Sequence, residues 1–484
     1  MKNPNILLIS IDSLRPDHLS AYGYRRETSP HLDQLAEQGV IYQDAFAPAN
    51  WTGAAVTSIL TGLYPTCHGY TNRRYYLDED VPSLAALLSE AGYETLCFSN
   101  NMYISPETGL AQGFKHFYYQ GTRLRNNEGA AAVRPAAAKN RLKRAVPNRV
   151  KSHLKDLSDL FKPERALKRD DGAFRTERAL FRVLERGGLP SPYFIYIHYQ
   201  EPHSIYFPPL PFRRRFYPGS WFEQSRYLSM DHIGYYAGRL EFSDRDIERY
   251  SALYDGEIAY LDWRLGRLFQ FLDRRGELDR TVIMVTADHG ESLGENGHLW
   301  HAFCTYDPLI RVPLIVRHPD WFGTAQRSPR LVQTNDLVPT ILEGIGVKWA
   351  YRGSRQGQSL LDGSERDAIL AESYNPEKMI RRWLKRRNDL AIDDFAHFLR
   401  DLRAYRTRTE KFIWASDGRH EFYDLGQDPG ESTNLGAPGS DPRAGRCEKA
   451  LQSWIGTFDP HVADRSHSGF DKDTWEKMKA LGYA

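Results

Sequence analysis

The sequence predicts an α/β protein with a large, mostly parallel central sheet flanked by helices, and a smaller C-terminal α/β domain containing an antiparallel sheet. Short apolar runs typical of buried strands alternate with segments of helical periodicity, which favours parallel strands covered on both faces. Beyond about residue 350 the sequence is rich in turn residues and has further strand signals. The apolar runs span 5–11, 95–98, 193–197 and 281–285, and the later signals span 368–371, 404–407 and 411–414.

The composition indicates a globular protein. The chain has 484 residues, of which 41% are hydrophobic and 26% charged, enough for a sizeable core. The net charge of +2 indicates no nucleic-acid binder. The four cysteines lie far apart, which excludes a zinc ribbon and disfavours a disulfide scaffold. Because no secretory leader or transmembrane segment is evident, we expect a cytoplasmic protein.

The elements between and after the strands define the predicted domains. Helical periodicity covers 84–91 and 255–269, and a helix capped by Gly344 is predicted over 337–344. A basic, alanine-rich segment at about 121–170 interrupts the pattern. It is either a solvated hairpin or loop, or a basic lid over an anionic substrate. The predicted domains are 1–350, including this insertion, and 351–484.

Polar side chains follow three of the four apolar runs. Asp12 ends the first, the third leads to His203, and the fourth leads into Asp288 and His289. Open α/β sheets place their ligand sites beyond the carboxyl ends of the strands, so one crevice could collect these groups. Two carboxylates and an imidazole make a mixed oxygen and nitrogen ligand set. The sequence therefore predicts a site for one divalent metal ion.

Several longer motifs occur in a fixed order along the chain. They are ISIDSLRPDHL from Ile9, SILTGLYPTCHG from Ser58, YDGEIAY from Tyr254, DHGE from Asp288, RVPLI from Arg311 and EFYDL from Glu421. With these motifs the chain resembles the sulfatase family of the alkaline-phosphatase superfamily over nearly its whole length. The resemblance implies an alkaline-phosphatase-like fold and a metal-dependent hydrolase acting on ester bonds.

The position of the nucleophile departs from the family pattern. Sulfatases begin the nucleophile helix with C/S-x-P-S-R, whose first residue becomes formylglycine, whereas this chain has Thr52 followed by 53–56 of sequence GAAV. Threonine cannot become formylglycine, but it resembles superfamily members that act through a phosphothreonine. The resemblance implies that Thr52 is both nucleophile and metal ligand. A structural alternative is that Thr52 caps the helix.

Other departures concern the substrate contacts. The family segment whose lysine and histidine hold sulfate is replaced by one with Asn100 and Asn101, which we predict to bind substrate. The resemblance implies that His203 and His301 face the substrate and act in proton transfer. His198 and His298 are interpreted as structural. His289 favours Mn²⁺ as the ion, with Zn²⁺ and Ca²⁺ as alternatives.

The leading hypothesis is a hydrolase or transferase that acts on a phosphorus ester, a phosphodiester or phosphonate monoester, through a Thr52 covalent intermediate. The alternatives are an arylsulfatase-like sulfuric ester hydrolase and a non-catalytic member that binds an anion or a protein partner. The expected substrate is a small-molecule or lipid-headgroup ester. The basic stretch 378–387 allows peripheral membrane contact, or a helix with one packed and one solvated face. The oligomeric state is left open.

Overall fold

A computed structural model describes residues 3–124, 170–185, 189–217, 219, 223–224, 227, 230–349, 356–436 and 439–461. Most of the predicted insertion at about 121–170 lies outside these residues, as do 350–355 at the predicted domain boundary, so both stay predictions. The strands before residue 350 are β1 (Asn5–Ile11), β2 (Val40–Phe46), β3 (Glu94–Ser99), β4 (His116–Tyr119), β5 (Thr122–Leu124), β6 (Tyr193–Tyr199), β7 (Thr281–Ala287), β8 (Ser292–Leu293), β9 (Leu299–Trp300), β10 (Arg311–Arg317) and β11 (Gln326–Gln333).

Nine of these strands form one sheet in the order β11-β2-β10-β7-β1-β6-β3-β4-β5, while β8 and β9 form a separate hairpin. The pairs of β1 with β6 and with β7 are parallel, and every residue of these three strands is buried. Strands buried on both faces read as continuous apolar runs, which is why the sequence located them. The predicted large, mostly parallel sheet is confirmed.

Twelve α-helices lie within the described residues. They are α1 (Pro30–Glu37), α2 (Thr52–Thr61), α3 (Pro65–His68), α4 (Leu84–Glu90), α5 (Ala173–Glu185), α6 (Leu210–Phe216), α7 (His232–Tyr236), α8 (Asp244–Arg274), α9 (Asp307–Ile310), α10 (Leu337–Gly344), α11 (Glu377–Leu384) and α12 (Pro442–Ile455). The long helix α8 begins with a capping box between Ser243 and Asp246. A membrane-crossing helix is absent from the described residues, because no helix there combines the necessary length with an apolar composition.

One predicted helix end is wrong in detail. Gly344 is the last residue of α10 and Ile345 follows as its C-cap. The glycine that takes the left-handed backbone is Gly346, with φ of 74°. The chain needs that conformation to leave the helix, so the glycine cap stands two residues later than the sequence pattern indicated.

A smaller antiparallel sheet follows, in the order β12 (Ile369–Ser373), β13 (Leu402–Arg406), β14 (Glu410–Ala415) and β15 (Glu421–Asp424). The three strands predicted from 368–371, 404–407 and 411–414 are confirmed with small shifts at their ends. This sheet is joined to the large one through Asp307, whose carboxylate lies 2.9 Å from Arg406 and 2.8 Å from Lys411. The joint holds the smaller sheet beside the carboxyl edge of the larger one.

Candidate active site

The carboxyl ends of β1 and β7 bring three metal-binding side chains together. Ile11 and Ala287 are register partners in the parallel pair, so the residues that follow them, Asp12 and Asp288, emerge side by side. One ligand atom each from Asp12, Asp288 and His289 lie within 4.8 Å of one another, and all three residues are buried. The Nε2 atom of His289 is 3.7 Å from a carboxylate oxygen of each aspartate. This cluster could hold a divalent metal ion.

Hydrogen bonds from neighbouring groups set the orientation of these side chains. The Nδ1 atom of His289 lies 2.7 Å from the carbonyl oxygen of Gly290, which fixes the proton on Nδ1 and leaves Nε2 as a ligand atom. Asp288 accepts backbone N–H groups of Ser13 at 3.2 Å and of His289 at 2.8 Å. Burial would raise the pKa of Asp288, but nearby His289 and His198 offset it and hold that pKa below its usual value.

Gly290 is required at this turn by close packing. A Cβ atom added to Gly290 would lie 2.1 Å from the carbonyl oxygen of Pro308. The backbone N–H of Gly290 also donates to the carbonyl of Leu309 at 2.8 Å. The turn after His289 therefore packs directly against α9, and this contact fixes the position of the histidine backbone.

Thr52 lies beside the cluster, at the first position of α2. Its Oγ1 atom is 3.3 Å from Nε2 of His289 and 3.5 Å from Oδ2 of Asp12. The alternative role of Thr52 as a helix cap is wrong, because Trp51 occupies the N-cap position and makes no side-chain capping bond. The threonine hydroxyl is turned to the cluster instead, at a helix N-terminus, which is an environment that favours an anion.

The two adjacent asparagines point to different places. Asn101 donates from Nδ2 to Oδ2 of Asp12 at 3.0 Å and lines the cavity described below. Asn100 accepts a hydrogen bond from Thr176 of α5 at 2.9 Å and is absent from the described residues that line the cavity. The structure thus brings Asn101 to the site, whereas a substrate contact by Asn100 stays a prediction.

His203 and His301 lie together on one side of the cluster. The ring of His301 is 4.6 Å from that of His289 and 5.1 Å from that of His203, measured between ring centres. The Nδ1 atom of His301 is 3.0 Å from Oε1 of Glu291, which leaves Nε2 for the cavity. Burial, followed by the nearby histidines, lowers the pKa of His301 well below its usual value. A neutral imidazole is able to accept a proton.

Glu291 belongs to the DHGE motif but is not among the predicted site residues. Its other carboxylate oxygen accepts a hydrogen bond from Tyr206 at 2.9 Å. Burial raises the pKa of Glu291 to about 8. The sequence signal for a role at the site is its position two residues after His289, in the same turn. Glu291 orients His301 and is a positioning residue.

His198 was also missed as a neighbour of the cluster. It lies in β6, opposite Ser10 of β1, and its Nε2 atom is 3.4 Å from Oδ2 of Asp288 and 4.0 Å from Oδ2 of Asp12. Because β1 and β6 are parallel and Ser10 is opposite His198, their register places His198 close to Asp12. His298, by contrast, packs among aromatic rings, 5.5 Å from Tyr306 and 6.0 Å from Phe398, as a structural interpretation requires.

A cavity of about 340 Å³ opens over Thr52. Its walls are largely aromatic and carry two guanidinium groups, and no aspartate or glutamate lines it within the described parts of the chain. The volume is in the range of small-molecule sites. The lining residues are Trp51, Thr52, Asn72, Tyr75, Asn101, Tyr103, His203, Ile233, Trp300, His301, Ala302, Met379, Arg382, Trp383 and Arg386.

Comparison with known proteins places this geometry in a family. The sequence profile described as Sulfatase matches residues 4–347. An arylsulfatase from Clostridium perfringens is 25% identical over 469 residues, covering 89% of this chain and 90% of that protein. A multifunctional alkaline phosphatase superfamily protein from Trinickia caryophylli is 27% identical over 389 residues, covering 72% and 74%. The crystal structure of a phosphonate monoester hydrolase from Agrobacterium radiobacter has a similar fold, with a TM-score of 0.68, 22% identity and coverage of 94% and 95%.

Proposed function

The chain belongs to the sulfatase family of ester-hydrolysing enzymes, and we propose that it cleaves a phosphorus ester through a covalent intermediate on Thr52. The observation that carries the proposal is the position of the Thr52 hydroxyl, 3.3 Å from His289 and 3.5 Å from Asp12 at the floor of the cavity. A hydroxyl so placed is available for in-line attack on an ester bound above it. Because threonine cannot be converted to formylglycine, the usual sulfatase nucleophile is not open to this chain.

The residues at the floor fit a divalent ion. Asp12, Asp288, His289 and Thr52 would hold it, through carboxylate and hydroxyl oxygens and one imidazole nitrogen. A bound ion supplies Lewis-acid stabilisation of negative charge on the ester oxygens and of the nucleophile. The mixed donor set favours Mn²⁺, with Zn²⁺ and Ca²⁺ as alternatives.

The remaining steps belong to the side chains of the chain itself. Thr52 attacks phosphorus, and the bond from phosphorus to the leaving oxygen breaks. The proton that the Thr52 hydroxyl gives up passes through His203 and His301, whose rings are 5.1 Å apart, to the leaving oxygen. The same histidines then take a proton from the incoming water or alcohol, and that proton returns to the Thr52 oxygen when its bond to phosphorus breaks. Glu291 holds His301 in place for both steps. Release by water makes the protein a hydrolase, and release by a second alcohol makes it a transferase.

Sulfuric ester hydrolysis is the second candidate. It is favoured by the arylsulfatase from Clostridium perfringens, which matches this chain over 469 residues. It is disfavoured by Thr52 and by the loss of the lysine that holds sulfate in the family. A non-catalytic role is disfavoured because Asp12, Asp288 and His289 converge with suitable ligand atoms.

Initial rates on four chromogenic esters test the proposal: a phosphate monoester, a phosphate diester, a phosphonate monoester and a sulfate, each with added Mn²⁺. We expect turnover of a phosphorus ester that falls roughly a thousandfold or more in Thr52→Ala. Thr52→Ser, which keeps the hydroxyl, is the matched control and retains part of the rate. Preferential sulfate turnover, or a Thr52→Ala enzyme as active as the wild type, would contradict the proposal.

A further inference from the structure

One face of α11 lines the cavity. Met379, Arg382, Trp383 and Arg386 all line the cavity, and their spacing of i, i+3, i+4 and i+7 places them on a single face. Arg386 lies in the turn that continues the helix, where its backbone N–H donates to the carbonyl of Trp383 at 3.0 Å. The helix therefore presents a defined surface to any molecule bound over Thr52.

This helix is held in place from both sides. Ile380 is fully buried in a cluster with Phe303, Phe395 and Phe398. The Nζ atom of Lys378 donates to the carbonyl oxygen of Arg73 at 2.6 Å. A packed core residue and a contact to the opposite loop fix the angle of the helix, so the residues facing the cavity are positioned rather than exposed by chance.

The face of α11 that lines the cavity carries two basic side chains. Arg382 and Arg386 are the two guanidinium groups on the cavity lining, and aspartate and glutamate are absent from the described lining residues. The guanidinium carbon of Arg382 lies 5.4 Å from the centre of the Tyr75 ring, which orients its planar group. Planar guanidinium groups bind carboxylates and phosphates through paired hydrogen bonds. This face of α11 therefore suits an acid group of the substrate that is separate from the ester bound at Thr52.

Much of the rest of the cavity lining is aromatic. The ring of Trp51 is 5.6 Å from those of Tyr75 and Tyr103, and the rings of Trp300 and Trp383 are 5.6 Å apart. We call these five side chains the aromatic wall. Faces of this kind stack against flat rings and against the apolar faces of sugars. A cavity of about 340 Å³ has room for one such ring beside the ester group.

We propose that the leaving group of the substrate is a ring with an acid group of its own, the ring stacking on the aromatic wall and the acid bound by Arg382 and Arg386. The inference rests on the proposed function only in placing the ester at Thr52. An aryl ring and a sugar ring share this chemistry, and the test distinguishes them.

The test compares matched esters with and without the acid. The aryl pair is phenyl against 4-carboxyphenyl, and the sugar pair is glucose against glucuronic acid. Each is supplied as the phosphonate monoester, the phosphate diester, the phosphate monoester and the sulfate. We expect kcat/KM to be on the order of 10- to 100-fold higher for the acidic member of one pair. Arg386→Gln and Arg382→Gln should each remove most of that preference. The pair that shows it identifies the ring.

Arg381→Gln is the matched control. Arg381 belongs to the same helix but is exposed, with its Nε atom 2.7 Å from Glu377, and it is absent from the cavity lining. This variant should keep the preference for the acidic ester. If the wild type shows no preference in either pair, or if the Arg382 and Arg386 variants slow both members of a pair equally, the inference is wrong.

A binding measurement separates this inference from the proposed nucleophile. In Thr52→Ala, quenching of tryptophan fluorescence by 4-hydroxybenzoate against phenol, and by glucuronate against glucose, reports occupancy of the wall without turnover. Tighter binding of one acidic member, lost in Arg386→Gln, supports the inference even if Thr52→Ala proves catalytically active. Equal affinities within both pairs contradict it even if Thr52 is the nucleophile.

Discussion

The floor and the wall of the cavity are built in different ways. The floor consists of Thr52, which lines the cavity, and of Asp12, Asp288 and His289, which are buried beside it. These residues lie at the ends of β1 and β7 and at the start of α2, and their side chains lie within hydrogen-bond or ligand distances of one another. The face of α11 that lines the cavity comes from a distant part of the chain. It carries basic and aromatic side chains, and its described residues include no cluster of metal ligands. The proposed reaction and the proposed recognition of the leaving group therefore reside on separately supported elements. A substitution on the α11 face should leave the chemical step measurable, and a substitution at the floor should leave binding to the α11 face measurable.

The largest effect is expected from removing a charge from the floor. Asp288→Asn takes away one carboxylate ligand while keeping its size. We expect kcat/KM to fall by roughly a thousandfold for every ester tested, together with loss of bound metal, because the ligand charge holds the ion. Metal analysis and initial rates are the measurements. The control is Asp273→Asn on the exposed side of α8, which should change neither the metal content nor the rate. Normal metal content and a normal rate in Asp288→Asn would contradict the assignment of Asp288 as a metal ligand.

The next effect concerns the support of the floor. Glu291→Leu keeps much of the volume of the side chain that contacts His301 at 3.0 Å, but it removes both carboxyl oxygens. We expect kcat to fall on the order of 100-fold and the pH–rate profile to shift, since His301 loses its orienting acceptor. The preference among leaving groups should remain. An unchanged pH profile would mean that Glu291 has only a packing role.

A change at the joint between the two sheets should act on stability. Burial would raise the pKa of Asp307, but Arg406 and Lys411 more than offset it and hold that pKa well below its usual value. A lowered folded-state pKa contributes stability above the unfolded-state value of about 4, and that contribution is lost as the pH falls below it.

Asp307→Asn should therefore lower the free energy of unfolding by about 2 kcal/mol at neutral pH. The difference from the wild type should shrink as the pH falls below about 4. Urea unfolding across this pH range measures it. A difference that is constant with pH would show that the Asp307 charge is not what joins the sheets.

The smallest effect is expected on the wall. Trp383→Ala removes one face of the aromatic wall, and we expect KM to rise about fivefold with kcat little changed, because stacking stabilises bound substrate and transition state alike. Steady-state kinetics separate the two constants. The control is Trp454→Ala, because the ring of Trp454 packs 5.9 Å from that of Tyr64 and does not line the cavity. A fall in kcat with unchanged KM would place Trp383 in the chemistry instead.

Sequence reasoning located the floor but not the wall, for a physical reason. Asp12, Asp288 and His289 follow buried strands, and the parallel register of those strands brings their ends together. The aromatic wall depends on contacts between residues near 75 and 383, which no local pattern specifies. The basic stretch 378–387 indicated an amphipathic helix, but its periodicity could not show that one face borders a cavity.

The adjacent asparagines and His198 show the same limit at a finer scale. Asn100 and Asn101 differ by one position, yet the backbone turns one amide towards Thr176 and the other towards Asp12. The apolar run 193–197 stops one residue before His198, whereas the strand β6 continues to Tyr199. Which side such residues face depends on where the strand stops, and the sequence pattern located strand ends less well than strand centres.

The most direct test of the central claim is the mass of the enzyme quenched with acid during turnover of its phosphorus ester. The Thr52 assignment predicts that the peptide containing Thr52 gains the phosphorus group of the ester, with every substituent except the leaving group. This adduct should be present in the wild type and absent from Thr52→Ala. A wild-type enzyme that turns over the ester with no group on that peptide, or with the group on another residue, would contradict the assignment.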